Sequence, residues 1–154
     1  MSGAVPGAAA PAAASEQPGW VDWEMWDGLI RMNGITIERP SGSAHPRYSD
    51  IIYPIDYGYV NGTLANDGEE VDIFVGTADA GRASGGMAGR DIASGLVAAV
   101  FTHDPRKGDR EVKFLYGCTP REIYLVNGFV NFAPMSGQLL LRQPMRELWR
   151  SEAR

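Results

Sequence analysis

The stretch Asp67-Gly68-Glu69-Glu70-Val71-Asp72 puts four carboxylates within six residues. Carboxylates this close repel one another and raise each other's pKa unless a cation sits among them. Their hard oxygens suit Mg²⁺, with Mn²⁺ as the alternative. Gly68 permits a tight turn, after which alternation on a strand puts Asp72 and Phe74 on one face and Val71, Ile73 and Val75 on the other. Taken alone, the run also fits a solvated acidic turn. A second group lies downstream, in Asp104-Pro105-Arg106-Lys107-Gly108-Asp109-Arg110-Glu111-Val112-Lys113. On a strand Asp109, Glu111 and Lys113 share one face, so spacing alone does not choose between the two acids as the partner of Lys113.

Just before the acidic run stands Tyr53-Pro54-Ile55-Asp56-Tyr57-Gly58-Tyr59-Val60-Asn61-Gly62-Thr63-Leu64. From Tyr53 to Val75 the chain resembles, without a gap, the soluble (family I) inorganic pyrophosphatases. Their pattern runs Tyr-Pro-x-x-Tyr-Gly-(aromatic), Thr-Leu, then Asp-Gly-Asp-Pro-x-Asp. Asp67, Glu69 and Asp72 match the three motif carboxylates. Glu69 departs from the family Asp, and Glu70 from the family Pro. The resemblance is thinner from Ile35 to Leu141. Glu38, in Ile37-Glu38-Arg39-Pro40, matches an active-site Glu, and Arg47 stands nine residues later where the family has Lys. The family's phosphate-binding Arg on a longer hairpin has no counterpart here, nor has the Tyr-Lys pair of its C-terminal helix. Tyr124 is present there without a Lys.

The resemblance implies Mg²⁺-dependent hydrolysis of inorganic pyrophosphate to two phosphates by a metal-activated water, with two or more ions. It implies Asp67, Asp72, Asp104 and Glu111 as metal ligands. Glu111 is preferred to Asp109 because its two-residue spacing to Lys113 is kept. Arg47, Tyr57 and Lys113 are the implied phosphate contacts, Glu69 the group that orients or deprotonates the water, and Tyr53 and Glu38 supporting residues. Each has an ordinary competitor: Tyr53 and Tyr57 as packing residues, Arg47 as a loop charge, Asp104 as a turn residue before Pro105. Because Glu69 is one methylene longer than Asp, weak or altered turnover is the expectation. The missing donors keep two other readings open: hydrolysis of a larger, nucleotide-type diphosphate, and a non-catalytic metal- or phosphate-binding module.

The elements carrying these residues are mostly strands. Ile35–Pro40, Ile51–Tyr59, Val71–Val75, Leu96–Thr102, Glu111–Tyr116 and Leu139–Leu141 have β character, and Pro54 suggests an edge position for the second. The turn 104–109 predicts a hairpin. Trp20, Trp23 and Trp26, with Leu29 and Ile30, predict an amphipathic packing helix. Thr119-Pro120-Arg121-Glu122 is a capping box opening a second helix with Ile123, Val126 and Val130 on one face. This is a β-rich α+β pattern, and the resemblance implies an OB-type five-stranded closed barrel with short flanking helices. Residues 1–19, rich in Ala, Pro and Gly, read as a disordered tail ahead of one domain over 20–154. The Gly-rich 79–95 reads as a mobile loop, and 145–154 as a short basic tail. A net charge of −5 argues against nucleic acid as a partner. No run approaches the ~20 apolar residues of a membrane helix. The lone Cys118 excludes an intrachain disulfide and fits a cytoplasmic setting and a buried strand end. Pyrophosphatases of this kind are often homo-oligomers, although no interface is legible in this sequence.

Overall fold

A computed structural model describes residues 19–78 and 95–144. The expectations for the N-terminal tail, the Gly-rich loop and the C-terminal tail lie outside these residues, apart from Gly19 and Gly95 at their edges. Helix α1 spans Trp23–Asn33. Asp22 caps it by accepting from the Met25 N–H at 3.2 Å. It ends at Gly34, whose φ of 83° is left-handed and suits glycine. Trp26 and Ile30, four residues apart, form its buried stripe. The expected tryptophan triplet is corrected at its start: Trp20 precedes the helix and is exposed.

Six strands follow: β1 (Ile35–Arg39), β2 (Asp56–Val60), β3 (Val71–Val75), β4 (Leu96–Asp104), β5 (Asp109–Tyr116) and β6 (Ser136–Leu141), with helix α2 (Pro120–Val130) between β5 and β6. Their order is β1-β2-β3-β5-β4-β6, antiparallel except for the parallel β3–β5 pair. Two expectations change. The sheet has six strands rather than five, and among the described residues no pairing joins its outer strands β1 and β6, so the barrel closure is not part of the described structure. The second strand is internal rather than at an edge, because Pro54 lies outside β2 and leaves its N–H groups free to pair on both sides.

Alternation divides the sheet into two faces. On one, Val60, Val71, Ile73, Ala99, Phe101, Val112 and Phe114 pack under α1. The Trp26 and Phe114 rings lie 4.7 Å apart between centroids. On the other, Tyr57, Phe74, Val100 and Leu115 pack under Ile123, Val126 and Val130 of α2. The α2 start is the expected capping box. The Thr119 Oγ1 accepts from the Glu122 N–H at 3.2 Å, and Glu122 Oε1 accepts from the Thr119 N–H at 2.9 Å. Glu122 also receives Thr77 N at 3.0 Å and Thr77 Oγ1 at 2.7 Å, which ties the helix to the end of β3. Cys118 is fully buried beside it, and burial pushes its thiol pKa far up, so it is inert packing. No described helix is long and apolar enough to cross a membrane.

Candidate active site

Helix α2 covers only part of its face. Register places Tyr57 opposite Phe74, Asp72 opposite Lys113, and Glu111 opposite Thr102. Tyr57, Asp72, Lys113 and Glu111 therefore occupy three neighbouring strands on one face, beyond the apolar patch that α2 fills. The Lys113 ammonium donates to Asp72 Oδ2 at 2.6 Å, Glu111 Oε1 at 3.1 Å and the Tyr57 hydroxyl at 3.2 Å. That uses all three of its N–H donors. Burial opposes its charge, but Tyr57, Asp72 and Glu111 outweigh burial and hold its pKa well above the ordinary lysine value. Tyr57 donates to the same Asp72 oxygen at 2.7 Å. Burial pushes its phenol pKa up, so it stays a proton donor.

The acidic turn is held by its own backbone. The buried Thr63 hydroxyl donates to Val60 O at 2.7 Å and accepts from Val71 N at 2.9 Å. Ala65 N donates to Glu69 O at 2.7 Å, and Gly68 turns at a φ of 88°. Asn66 Nδ2 reaches Arg110 O on β5 at 3.3 Å. These contacts set Asp67 beside Glu111 on the wall of one cleft. Burial raises the Glu111 pKa, the Asp67 contact adds to the rise, and Lys113 opposes it. The pair borders an open cleft of about 230 Å³ lined by Asn66, Asp67, Gly108, Asp109, Arg110 and Glu111.

The remaining residues that the motif pattern singled out make other contacts. Asp104 accepts from the Arg106 side chain at 3.2 Å, which lowers its pKa. Asp109 faces Lys107 at 3.7 Å, whereas Glu111 joins Lys113. Glu69 is exposed, and its N–H donates to Asp67 Oδ1 at 3.0 Å. Glu38 and Arg47 are exposed, Glu38 on β1 and Arg47 in the connection to β2. Tyr53 is buried against Tyr57, and its hydroxyl accepts from Arg39 at 2.6 Å. Asp56, whose role the sequence left open, accepts from Ser41 N at 2.8 Å and fastens a turn.

Among the described residues no three Asp, Glu, His or Cys side chains converge closely enough to enclose a metal ion. Asp72 is committed to Lys113 and Tyr57, and Asp104 to Arg106. Asp67 and Glu111 line one cleft, where Glu111 also accepts from Lys113 through Oε1 at 3.1 Å. Mg²⁺ is often held by one or two carboxylates, with water and substrate phosphates completing its shell. The donor pair fits such an ion, whose charge would offset the burial that raises the Glu111 pKa.

Sheet and cluster together define a protein that gathers carboxylates, an ammonium and a phenol from adjacent strands into a largely covered network beside an open cleft. Solved structures similar to this chain include inorganic pyrophosphatases from Helicobacter pylori (14% identity, TM-score 0.42, covering 76% of this chain and 89% of that one), Neisseria gonorrhoeae (15%, 0.44, 77% and 84%) and Coxiella burnetii (14%, 0.43, 77% and 90%). No protein-family profile and no curated protein matches. These likenesses are distant, and the functional reading rests on the residues.

Proposed function

We propose that this chain hydrolyses inorganic pyrophosphate to two phosphates with a divalent cation. The observation that carries the reading is the Asp67–Glu111 carboxyl pair on one cleft beside the Lys113–Tyr57–Asp72 network, of which Tyr57, Asp67 and Asp72 belong to the run that resembles the pyrophosphatases. Asp67 and Glu111 would hold the ion, which when bound neutralises phosphoryl charge and makes a bound water more acidic. With Glu111 turned to the cation, one Lys113 N–H is released for a phosphoryl oxygen. Tyr57, kept protonated by burial, is a second donor on that side. Glu69 accepts the proton of the attacking water as the P–O–P bond breaks. Asp72 holds Lys113 in place through Oδ2, and its other oxygen would join the ion as a ligand. Asp104 joins only if Arg106 releases it.

A second reading is favoured by the commitment of Asp72 and Asp104 to cations: a module that binds phosphate and metal without turnover. Phosphate release separates the two. Purified protein given pyrophosphate and a panel of nucleotide diphosphates, with Mg²⁺, Mn²⁺ or Co²⁺, should release phosphate from pyrophosphate. No release at high protein concentration with any of the three ions sinks the hydrolase reading. Metal-dependent thermal stabilisation without release would establish the module. A Glu69→Asp change should raise turnover severalfold by restoring the shorter carboxylate, since ~1 Å of misplacement costs on the order of a hundredfold. Unchanged turnover removes Glu69 from the water-activating role.

A further inference from the structure

The pyrophosphatase pattern assigns no role to Arg39, yet the fold aims it at the site. Register slips between Ile37 and Arg39, a bulge that sets Arg39 opposite Tyr57. Its Nη1 donates to the Tyr53 hydroxyl at 2.6 Å, and its guanidinium carbon lies 5.5 Å from the Tyr53 ring centroid and 5.9 Å from that of Tyr57. The Lys113 ammonium lies 5.7 Å from the same Tyr57 centroid. One buried phenol is thus approached by two cations. Lys113 is surrounded by acids. Arg39 has no carboxylate in ion-pair contact among the described residues, and its neighbour Glu38 acts on it only through longer-range charge. One of its five N–H donors is spent on Tyr53, and the rest are uncommitted among the described residues.

The Pro40–Tyr53 connection adds to this. His45 stacks over Tyr53 with centroids 6.3 Å apart. Its Nδ1 accepts from Arg47 N at 3.0 Å and Tyr48 N at 3.3 Å, so the ring proton of the neutral imidazole sits on Nε2 as a donor. Burial, then the charges of Arg39 and Arg47, lower its pKa. Arg39 and His45 thus meet at the Tyr53 ring, the Arg47 backbone holds His45, and among the described residues none of the three has an ion-paired acid. An anion completes such a group, and a guanidinium fork matches phosphate oxygens.

We propose that Arg39, flanked by His45 and Arg47, forms an anion subsite that takes the second phosphoryl group of a diphosphate whose first is held at Lys113. The proposal rests on the hydrolase reading above and supplies the guanidinium that the shortened chain otherwise lacks. The test is calorimetric binding of imidodiphosphate, a non-hydrolysable diphosphate, with Mg²⁺ to the full chain, alongside pyrophosphate turnover. Arg39→Gln should weaken imidodiphosphate binding roughly tenfold or more, as loss of a charged hydrogen bond does. In turnover it should raise KM with little change in kcat. Arg39→Lys should recover part of the loss, and Tyr53→Phe, which frees the guanidinium but keeps the ring, should show a smaller loss. Folded Arg39→Gln with wild-type affinity overturns the subsite while wild-type turnover keeps the hydrolase reading. If Arg39→Gln does not fold, Arg39→Lys decides, and wild-type affinity there overturns the subsite. A wild-type chain that neither binds imidodiphosphate nor hydrolyses pyrophosphate overturns both.

Discussion

Lys113 is the residue on which the site turns, because three groups on three strands meet at its ammonium. Its side chain is 12% exposed and that of Asp72 27%, so the pair is mostly withdrawn from water. Replacing Lys113 by Met removes one partner of a largely buried pair and leaves Asp72 and Glu111 facing each other unneutralised. Such a loss costs about 3 kcal/mol. We expect the Lys113→Met melting temperature to fall by roughly 10 °C in a thermal scan. Phosphate release should fall by about two orders of magnitude, as when a donor to developing charge is removed. A variant as stable and active as wild type would show that the network is decorative. Tyr57 gives a milder case: a Phe in its place keeps the ring but leaves Asp72 with Lys113 as its remaining donor.

Among the elements, the site depends on how β2, β3 and β5 are brought into register, and two glycines let β1 and α2 close against them. Gly58 on β2 lies so close to Thr36 O on β1 that a methyl group there would collide with backbone. That is the physical reason for glycine after Tyr57 in the motif. Gly76, just past β3, is equally tight against Glu122 and the backbone at Cys118. Glu122 therefore caps α2 and also receives the N–H and hydroxyl of Thr77. Glu122→Ala would remove the acceptor of three part-buried donors, at about 1 kcal/mol for each bond lost. We expect a total loss of about 3 kcal/mol, read as a lowered urea midpoint with an unchanged slope. A loss below about 1 kcal/mol would mean that water reaches the capping groups.

Across the whole molecule, the two faces of the sheet have separate duties. The α1 face is a closed apolar layer, and the α2 face is shared between core and site. One polar clamp joins distant parts of the chain: Asp27 on α1 accepts from Leu96 N at 2.9 Å and from Arg142 Nη1 at 2.6 Å, and Arg142 also reaches Leu96 O at 3.1 Å. It links the first helix, the start of β4 and the segment after β6. Asp27→Ala should cost about 3 kcal/mol, because the Arg142 guanidinium would stay largely covered without its acid. Turnover per folded molecule should hardly change, since the clamp lies on the layer away from the Lys113 network. A melt and an activity assay on the same sample check both halves; lost turnover with an intact melt would show that α1 is coupled to the site.

Much of this was legible in the residues. The capping box at Thr119, the 104–109 hairpin and the Tyr53 to Asp72 run are local signals, because turns, caps and strand alternation depend on neighbours in sequence. Strand number, the internal position of β2 and the exposure of Trp20 were not legible, because each depends on which strand or helix lies across from it. The same division holds in the site. The carboxylate types and the shared face of Glu111 and Lys113 follow from composition and period-two alternation. That Lys113 joins Asp72, that Asp67 meets Glu111, and that Arg106 occupies Asp104 are decided by the parallel β3–β5 register and by loop closure. Arg39 is the clearest case: a bulge of one residue moves it to the Tyr57 side, and simple alternation along β1 could not reveal that. Side-chain type is local, so the chemical inventory of the site can be read from the chain as a string of residues. Which charges neutralise each other and which stay available is settled by the folded arrangement alone, because charge pairing is set by distance across strands.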